Sequence, residues 1–516
     1  MPDATAMAVR DGVVAWLGSD DIGLAQFPDA AVIDLDGAFV APAFVDCHMH
    51  VTATGLMLSG LDLRAASSMR HCLALVAEFT QAHPDGLVWG HGWDESGWPE
   101  ATPPSTDDLD AVAGDQPVYL ARVDVHSAAA SSALRRLTPG LPAARGFDPQ
   151  RPLTADAHHM VRAAARDRLT PDQRARARAA TLDLAAANGI VAVHECAGPD
   201  IGGLDDWQEL RRTNHGVEIV GYWGEAVADR VQAQSLIEMT GARGLAGDLF
   251  VDGALGSRTA WLREPYTDAP DRCGNTYLDP DAITAHLRAC TQAGIPAGFH
   301  VIGDAAVGAV VDALANVADR LGTQAVARCG HRLEHLEMVT PEQSARLGEW
   351  GVIASVQPNF DALWGGEVGM YAQRLGRDRA LRMNPLALLA SQGVPLAFGS
   401  DSPVTAMNPW ATVRAATRHQ TPTSSVSMRA AFSAATRGAW RAGGVRDGVT
   451  GTLVPGAPAS YAVWQTDQLE VSAPGDAVAR WSTDPRSRVP ALPRLGPDDR
   501  LPHCVQTVHR GAVIHG

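Results

Sequence analysis

Asp46-Cys47-His48-Met49-His50 places two imidazoles two residues apart, directly after the apolar run Phe39-Val40-Ala41-Pro42-Ala43-Phe44-Val45. Read as a strand, that run puts His48 and His50 on one face, because successive side chains alternate. Two imidazoles on one face at the end of a buried strand can clamp one divalent cation. The pair is weak by itself, since 18 histidines in 516 residues supply roughly half of one such motif by chance. Its company downstream gives it weight. His300, His335 in Leu333-Glu334-His335, and Asp401 in Phe398-Gly399-Ser400-Asp401-Ser402 each close a strand-like run. Single buried histidines are commonly satisfied core residues. Four of them at the ends of three strands, with a carboxylate ending another, point to a metal centre.

The chemistry of such a centre is metal-assisted hydrolysis. A divalent cation, Zn²⁺ by preference for imidazole and carboxylate, lowers the pKa of bound water towards about 7. His48, His50 and Asp401 would hold a first ion, and His300 and His335 a second where one is present. Asp401 would then take the water's proton. Arg258 is a candidate anchor for a substrate carboxylate or polarised oxygen, the alternative being a surface ion pair. Trp93 and Trp364 are candidates for the pocket wall, and His126 for a group reaching in; packing is the competing role for each. His158-His159, His215, His286, His419, His503 and His509 read as solvated or structural, and His194-Glu195 as intermediate.

These residues need elements that aim them at one place. Thr170-Pro171 opens a helix running to Asn188-Gly189, Asp279-Pro280 opens one closing at Gly294, and Thr340-Pro341-Glu342-Gln343 opens one closing at Gly351. An N-cap, proline at the first helical position and glycine past the end mark helix boundaries. An apolar run follows each, and alternating helices and strands mean a parallel sheet. Eight candidate strands end near His48, Gly90, His194, Val251, His300, His335, Gln357 and Ser400. The spacing predicts an α/β fold, a (β/α)₈ TIM-type barrel over residues 42–446, with an insertion over about 96–169 after the second strand. Both termini read instead as strands and turns, with Asp11-Gly12 between apolar runs as a hairpin signal. Segments 1–41 and 447–516 therefore predict one small β-sandwich built from both ends.

Composition narrows the function classes. A formal charge of −16 disfavours nucleic acid and anionic membranes as partners. No uninterrupted apolar run of membrane-spanning length and no basic-then-apolar leader is evident, and seven cysteines without a C-x-x-C motif predict reduced thiols in a cytoplasm. Association into a homo-oligomer stays open. All 42 basic residues are arginine, so neither a Schiff base nor a carbamylated lysine can form.

Several stretches carry a resemblance that spans nearly the whole chain in collinear order. They are Ala43-Phe44-Val45-Asp46-Cys47-His48-Met49-His50, His91-Gly92-Trp93-Asp94-Glu95, Asp252-Gly253-Ala254-Leu255-Gly256-Ser257-Arg258, His300-Val301-Ile302-Gly303-Asp304, Glu334-His335, Gly399-Ser400-Asp401-Ser402-Pro403 and Gly451-Thr452-Leu453-Val454-Pro455-Gly456. The chain resembles the amidohydrolase superfamily, in the branch that includes N-substituted formamide deformylases. The resemblance implies a metal-bearing barrel, a terminal β-sandwich and hydrolysis of carbon–nitrogen bonds other than peptide links. It also implies a metal-bridging carboxylated lysine four residues before Asp252, where this chain carries Asp248. Aspartate is already an anionic oxygen donor, though several atoms shorter, and Glu195 is a second candidate for the bridge. Alternatives on the same scaffold are a ring deaminase, with Glu195 as proton donor, and a cyclic amidase. From another class comes a metal-binding homologue without turnover.

Overall fold

The computed structural model describes residues 4–470 and 491–516; residues 1–3 and 471–490 of the expected terminal module lie outside the described residues. Two parallel ladders form the centre. One joins β1 (Phe44–Met49), β2 (Ile190–Ala197) and β3 (Glu218–Trp223) in the order β3-β2-β1. The other runs in sequence through β4 (Gly298–Val301), β5 (Arg332–His335), β6 (Ile353–Val356) and β7 (Leu396–Phe398). Strands β1, β2, β4, β5 and β6 bury every residue, as parallel strands covered on both faces must.

Single bridges connect the ladders. Tyr222 pairs with Gly244, Leu245 with Ala297 and Phe250 with His300, so the stretch 244–250 lies between β3 and β4. Gly247 in this stretch has φ +76°, and a Cβ there would press to 3.0 Å from the Cβ of Cys196. On the other side Met49 pairs with Ser402, the Asp401 amide donates to the His48 carbonyl at 2.7 Å, and the His50 amide donates to the Ser402 carbonyl at 2.9 Å.

The helices begin where their caps predict. Thr170 and Gln173 form a reciprocal capping box on Pro171–Ala187, as do Thr340 and Gln343 on Pro341–Glu349. Asp279 caps Pro280–Ala293, which ends at Gly294 with φ +70°.

Two expectations need correction. The strand near Gly90, Val88–Trp93, pairs with Leu61–Asp62 and Val118–Arg122 in a separate five-stranded sheet that continues to Leu153–Thr154. This extra layer starts at Leu61, ahead of residue 96, and follows β1 rather than a second parallel strand. Beside β2 stands Glu218–Trp223, absent from the expected eight. Val88–Trp93 is as buried as a central strand, and burial pattern alone cannot say which sheet a strand joins.

The chain ends meet. Phe39–Pro42, Tyr461–Gln465, His503–His509 and Ala512–His515 form one antiparallel sheet, with Phe39–Pro42 at its edge. The hairpin Ala6–Arg10/Val13–Gly18 turns at Asp11 and Gly12, both at positive φ, and the Val14 amide donates to the Ala457 carbonyl at 2.9 Å. Only Ala43 separates the edge strand from β1. Among the described residues, no helix is long and apolar enough to cross a membrane.

Candidate metal centre and its cavity

His48 lies near the end of β1 and His50 directly follows it, β4 carries His300, β5 ends in His335, Asp401 follows β7, and Asp248 comes from the bridging stretch. All six are buried. His48 Nε2 lies 3.5 Å from Asp248 Oδ1 and 3.3 Å from Asp401 Oδ1. His50 Nε2 is 3.2 Å from Asp248 Oδ2 and 3.5 Å from Asp401 Oδ1, and His300 Nδ1 is 3.7 Å from Asp248 Oδ1. The ring of His335 sits 4.9 Å from that of His48 and 4.4 Å from that of His300. His335 and Asp401 both adopt positive φ, a conformation unusual for residues with a Cβ and held here by the surrounding packing.

The donor set fits a cation. His48 Nε2, His300 Nδ1 and Asp248 Oδ1 are buried atoms without a hydrogen-bond partner, and they converge. Ligand atoms of His48, His50 and Asp401 lie within 4.8 Å of one another, as do those of His48, Asp248 and His335. Ligands held at about 2.0–2.2 Å from one ion sit at such mutual separations. Both groups use His48, and one imidazole nitrogen holds one ion, so the groups overlap on a single principal position. Asp248 turns one oxygen to His50 and the other to His48 and His300.

Electrostatics agree. Burial, with the charges of His300 and His48, pushes His335 down to about 3, so its imidazole is the neutral form that binds metals. Burial would raise Asp248, but the charges of His48 and His50, with His300 close by at 3.7 Å, hold it well below the usual carboxylate range. Asp401 is likewise lowered, by His48 and His50 against burial. Both carboxylates are thus anions facing the histidines.

A cavity of ≈ 890 Å³, open solvent at its mouth included, adjoins this cluster. His50, His126, Glu195, Asp248 and Phe250 line it. The His126 ring lies 4.8 Å from that of His300 and is kept neutral by burial and by His300. Glu195 is outside the converging donor groups; its Oε2 accepts from the Val51 amide at 2.7 Å, and burial pushes it up to about 7.

Other candidates lie elsewhere. Arg258 donates to Asp268 at 2.7 Å, and Asp268 also takes Arg374, which reaches Glu95 at 3.1 Å. Arg122 in turn binds Asp94, Glu95 and Asp124. Arg258, partly exposed, therefore sits at the edge of a charge lattice, with its Nε and Nη2 donors taken by Asp268. Trp93 packs in the core of the extra sheet, its Nε1–H donating to the Leu120 carbonyl at 2.9 Å. Trp364 packs on Phe360 and Tyr371. Conversely, His158 and His159, read as solvated or structural, line the cavity.

The profile of the Amidohydrolase family matches residues 31–515. The chain belongs to this family. This amidohydrolase is 28% identical to the Bacillus subtilis (strain 168) protein YtcJ, whose name carries an amidohydrolase assignment, over 78% of each chain. It superposes on a metal-dependent hydrolase of Pyrococcus furiosus at 27% identity and TM-score 0.67, covering 89% of this chain and 95% of that one. The N-substituted formamide deformylase of Arthrobacter pascens is 22% identical over 79% of this chain and 78% of its own length, a more distant likeness. The superfamily expectation stands, and the chain is a metal-binding hydrolytic enzyme of non-peptide carbon–nitrogen bonds.

Behind the amidohydrolase centre lies a support that sequence reasoning did not assign. His48 Nδ1 shares a proton with Glu334 Oε2 at 2.8 Å, which leaves Nε2 as the free lone pair. Arg332 donates to Glu334 at 2.8 Å and to the Cys47 carbonyl at 2.7 Å. Gln357 accepts from His335 Nδ1 at 2.8 Å. Arg332 and Glu334 are two residues apart on β5, so an opposite-charge pair on one strand face was the available signal.

Proposed function

We propose that this amidohydrolase hydrolyses small amides, N-substituted formamides among them, with Asp401 as the proton-transfer group. The observation that carries the reading is the convergence of unpartnered His48 Nε2, His300 Nδ1 and Asp248 Oδ1 beside a cavity that His50 and Asp248 themselves line. His48, His50 and Asp401 would hold one tight ion, with Asp248, His300 and His335 closing it from the other side and forming a weaker second position. Imidazole with carboxylate favours Zn²⁺. When bound, the cation supplies Lewis acidity to the carbonyl and acidity to water. Asp401, buried and anionic, accepts a proton from the attacking water and returns it to the departing nitrogen. His126, neutral and facing the cavity, is placed to donate to the carbonyl oxygen.

The architecture behind this reading is a (β/α)₈ barrel over 42–446, in which the stretch 244–250 supplies the eighth member and closes the two ladders. An extra sheet is inserted after β1, and the described residues of segments 1–41 and 447–516 make up a terminal β-module, proposed as a sandwich. Net charge of −16 supports a small-molecule substrate over polyanionic partners. Seven unpaired cysteines support a reducing cytoplasm.

The test is metal content and turnover together. Native protein should carry one tight equivalent, and His48→Ala or His50→Ala should lose it. Asp401→Asn should lower turnover of a formamide panel by about 10²–10⁴-fold. Unchanged metal in both histidine variants overturns the centre, and a drop under about tenfold moves the base elsewhere. A second reading, ring deamination, is favoured by Glu195, a cavity-lining acid at about 7. Ammonia released from aminopurines, with no amine released from amides, decides for it.

A further inference from the structure

The cavity has a cationic far wall. The helix α1 (Ala155–Arg166) sets His158, Arg162 and Arg166 four residues apart, hence on one face, and all three line the cavity. Contacts lead outward from the metal centre to that wall. The Phe250 ring lies 4.9 Å from His300 and 5.4 Å from His159, and an Arg162 nitrogen reaches His159 Nδ1 at 3.4 Å. Between the two ends the walls are apolar and aromatic, from Leu56, Trp89, Tyr119, Ala121 and Phe250.

The neighbouring arginines show what is unusual here. Arg174 pairs with Glu209 at 2.9 Å, and Arg178 with Asp206 at 2.8 Å. Among the described residues, Arg162 and Arg166 donate only to the backbone carbonyls of Asp200 and Ile201 and to His159. Among the described residues, neither guanidinium has a carboxylate oxygen within 4.0 Å. Asp200 turns its side chain to His159, at 3.9 Å, and is 65% exposed. Arg162 Nε is buried with no hydrogen-bond partner. Burial and the charge of Arg162 both push Arg166 below the usual arginine range. Two adjacent cations, partly desolvated and in direct ion pairs with no carboxylate among the described residues, although Asp206 and Asp200 act on Arg166 through space, make a seat for a planar anion.

We propose that Arg162 and Arg166 receive a substrate carboxylate, so that the substrate is an amide whose far end, beyond a spacer the size of an aromatic ring, is an acid. This rests on the amide-hydrolase reading. It moves the anchoring role expected of Arg258, which Asp268 already occupies and which does not line the cavity, to the Arg162 and Arg166 wall.

The experiment compares matched pairs on the metal-loaded enzyme. Wild type should hydrolyse 4-formamidobenzoate with a kcat/KM about tenfold or more above that for formanilide. Arg162→Gln and Arg166→Gln should each lower that value about tenfold for the acid and leave formanilide within about threefold. Arg162→Lys should recover part of the loss. Equal losses on both substrates, or no loss on either, overturn the proposal. Binding is read separately by calorimetry, with 3-phenylpropionate against 3-phenylpropanol. A preference for the acid that both glutamine variants abolish supports the seat even where neither formamide turns over, which would instead sink the amide reading. Equal affinity for acid and alcohol in wild type, including no binding of either, overturns the seat.

Discussion

Asp248, as a proposed ligand, bears on how the proposed centre would be assembled. Its two oxygens face different histidines, at 3.2 Å and 3.5 Å, where relatives of this family are expected to carry a carboxylated lysine. A carboxylate on the chain needs no CO₂, so metal loading and activity should be indifferent to added bicarbonate. Asp248→Ala should leave the tight ion at His48 and His50 partly bound and abolish any second equivalent, read by elemental analysis with and without bicarbonate. A bicarbonate requirement would contradict the role. Glu334 acts one step further back. Its carboxyl sits at about 2; burial alone would raise it, but Arg332 and His48 pull it down. Glu334→Gln removes the anion that holds His48 in one tautomer and strands Arg332, whose side chain is 1% exposed. Metal affinity should fall about 10–100-fold in a chelator competition. Stability should fall by about 3–5 kcal/mol on denaturation. Unchanged affinity would mean that β1 alone orients His48. His48, His50, His300, His335 and Asp401 were legible because a polar residue ending an apolar run is a local fact. Glu334 was not, because its partner is 286 residues away.

At the scale of elements, helix ends were legible and strand partners were not. Thr170, Asp279 and Thr340 cap within three residues, which a sequence displays. The choice between Val88–Trp93 and Glu218–Trp223 for the central ladder depends on which helices and sheets cover them, and no local pattern records that. The same holds for α1, whose His158–Arg162–Arg166 stripe is visible as spacing although the side it faces is not. Packing of Pro280–Ala293 against the sheet also buries two neutral histidines. His286 bonds the Leu245 carbonyl at 3.0 Å, and His331 Nδ1 accepts from the Ala297 amide at 2.9 Å. Burial lowers both to about 4, against an ordinary 6.5. As pH falls, the unfolded chain therefore takes up protons before the folded one does. Their contribution is intact above pH 6.5 and is lost between 6.5 and 4, about 3 kcal/mol for each histidine. Denaturant midpoints across that window should fall in wild type and fall less steeply in His286→Gln. Parallel slopes would show that His286 does not titrate in this range.

Across the whole molecule, the ends of the chain were legible as β-structure and their meeting as an expectation. The observed sheet pairs Val40 with Val463 and Phe39 with Trp464. Trp464 then stacks edge-on to Phe44, which contacts Trp410 and Phe432 as well, so the start of β1 is locked by residues from the last quarter of the chain. That closure has a consequence in time. A ribosome making this chain releases Phe39–Pro42 long before Tyr461–Gln465 exists. At about 5–20 residues per second, the first strand of the sheet waits on the order of 20–80 s for its partner. Throughout that interval Phe39, Ala41 and Phe44, all buried in the finished molecule, are apolar and uncovered on a nascent chain. Fragments ending before residue 461 keep that exposure permanently.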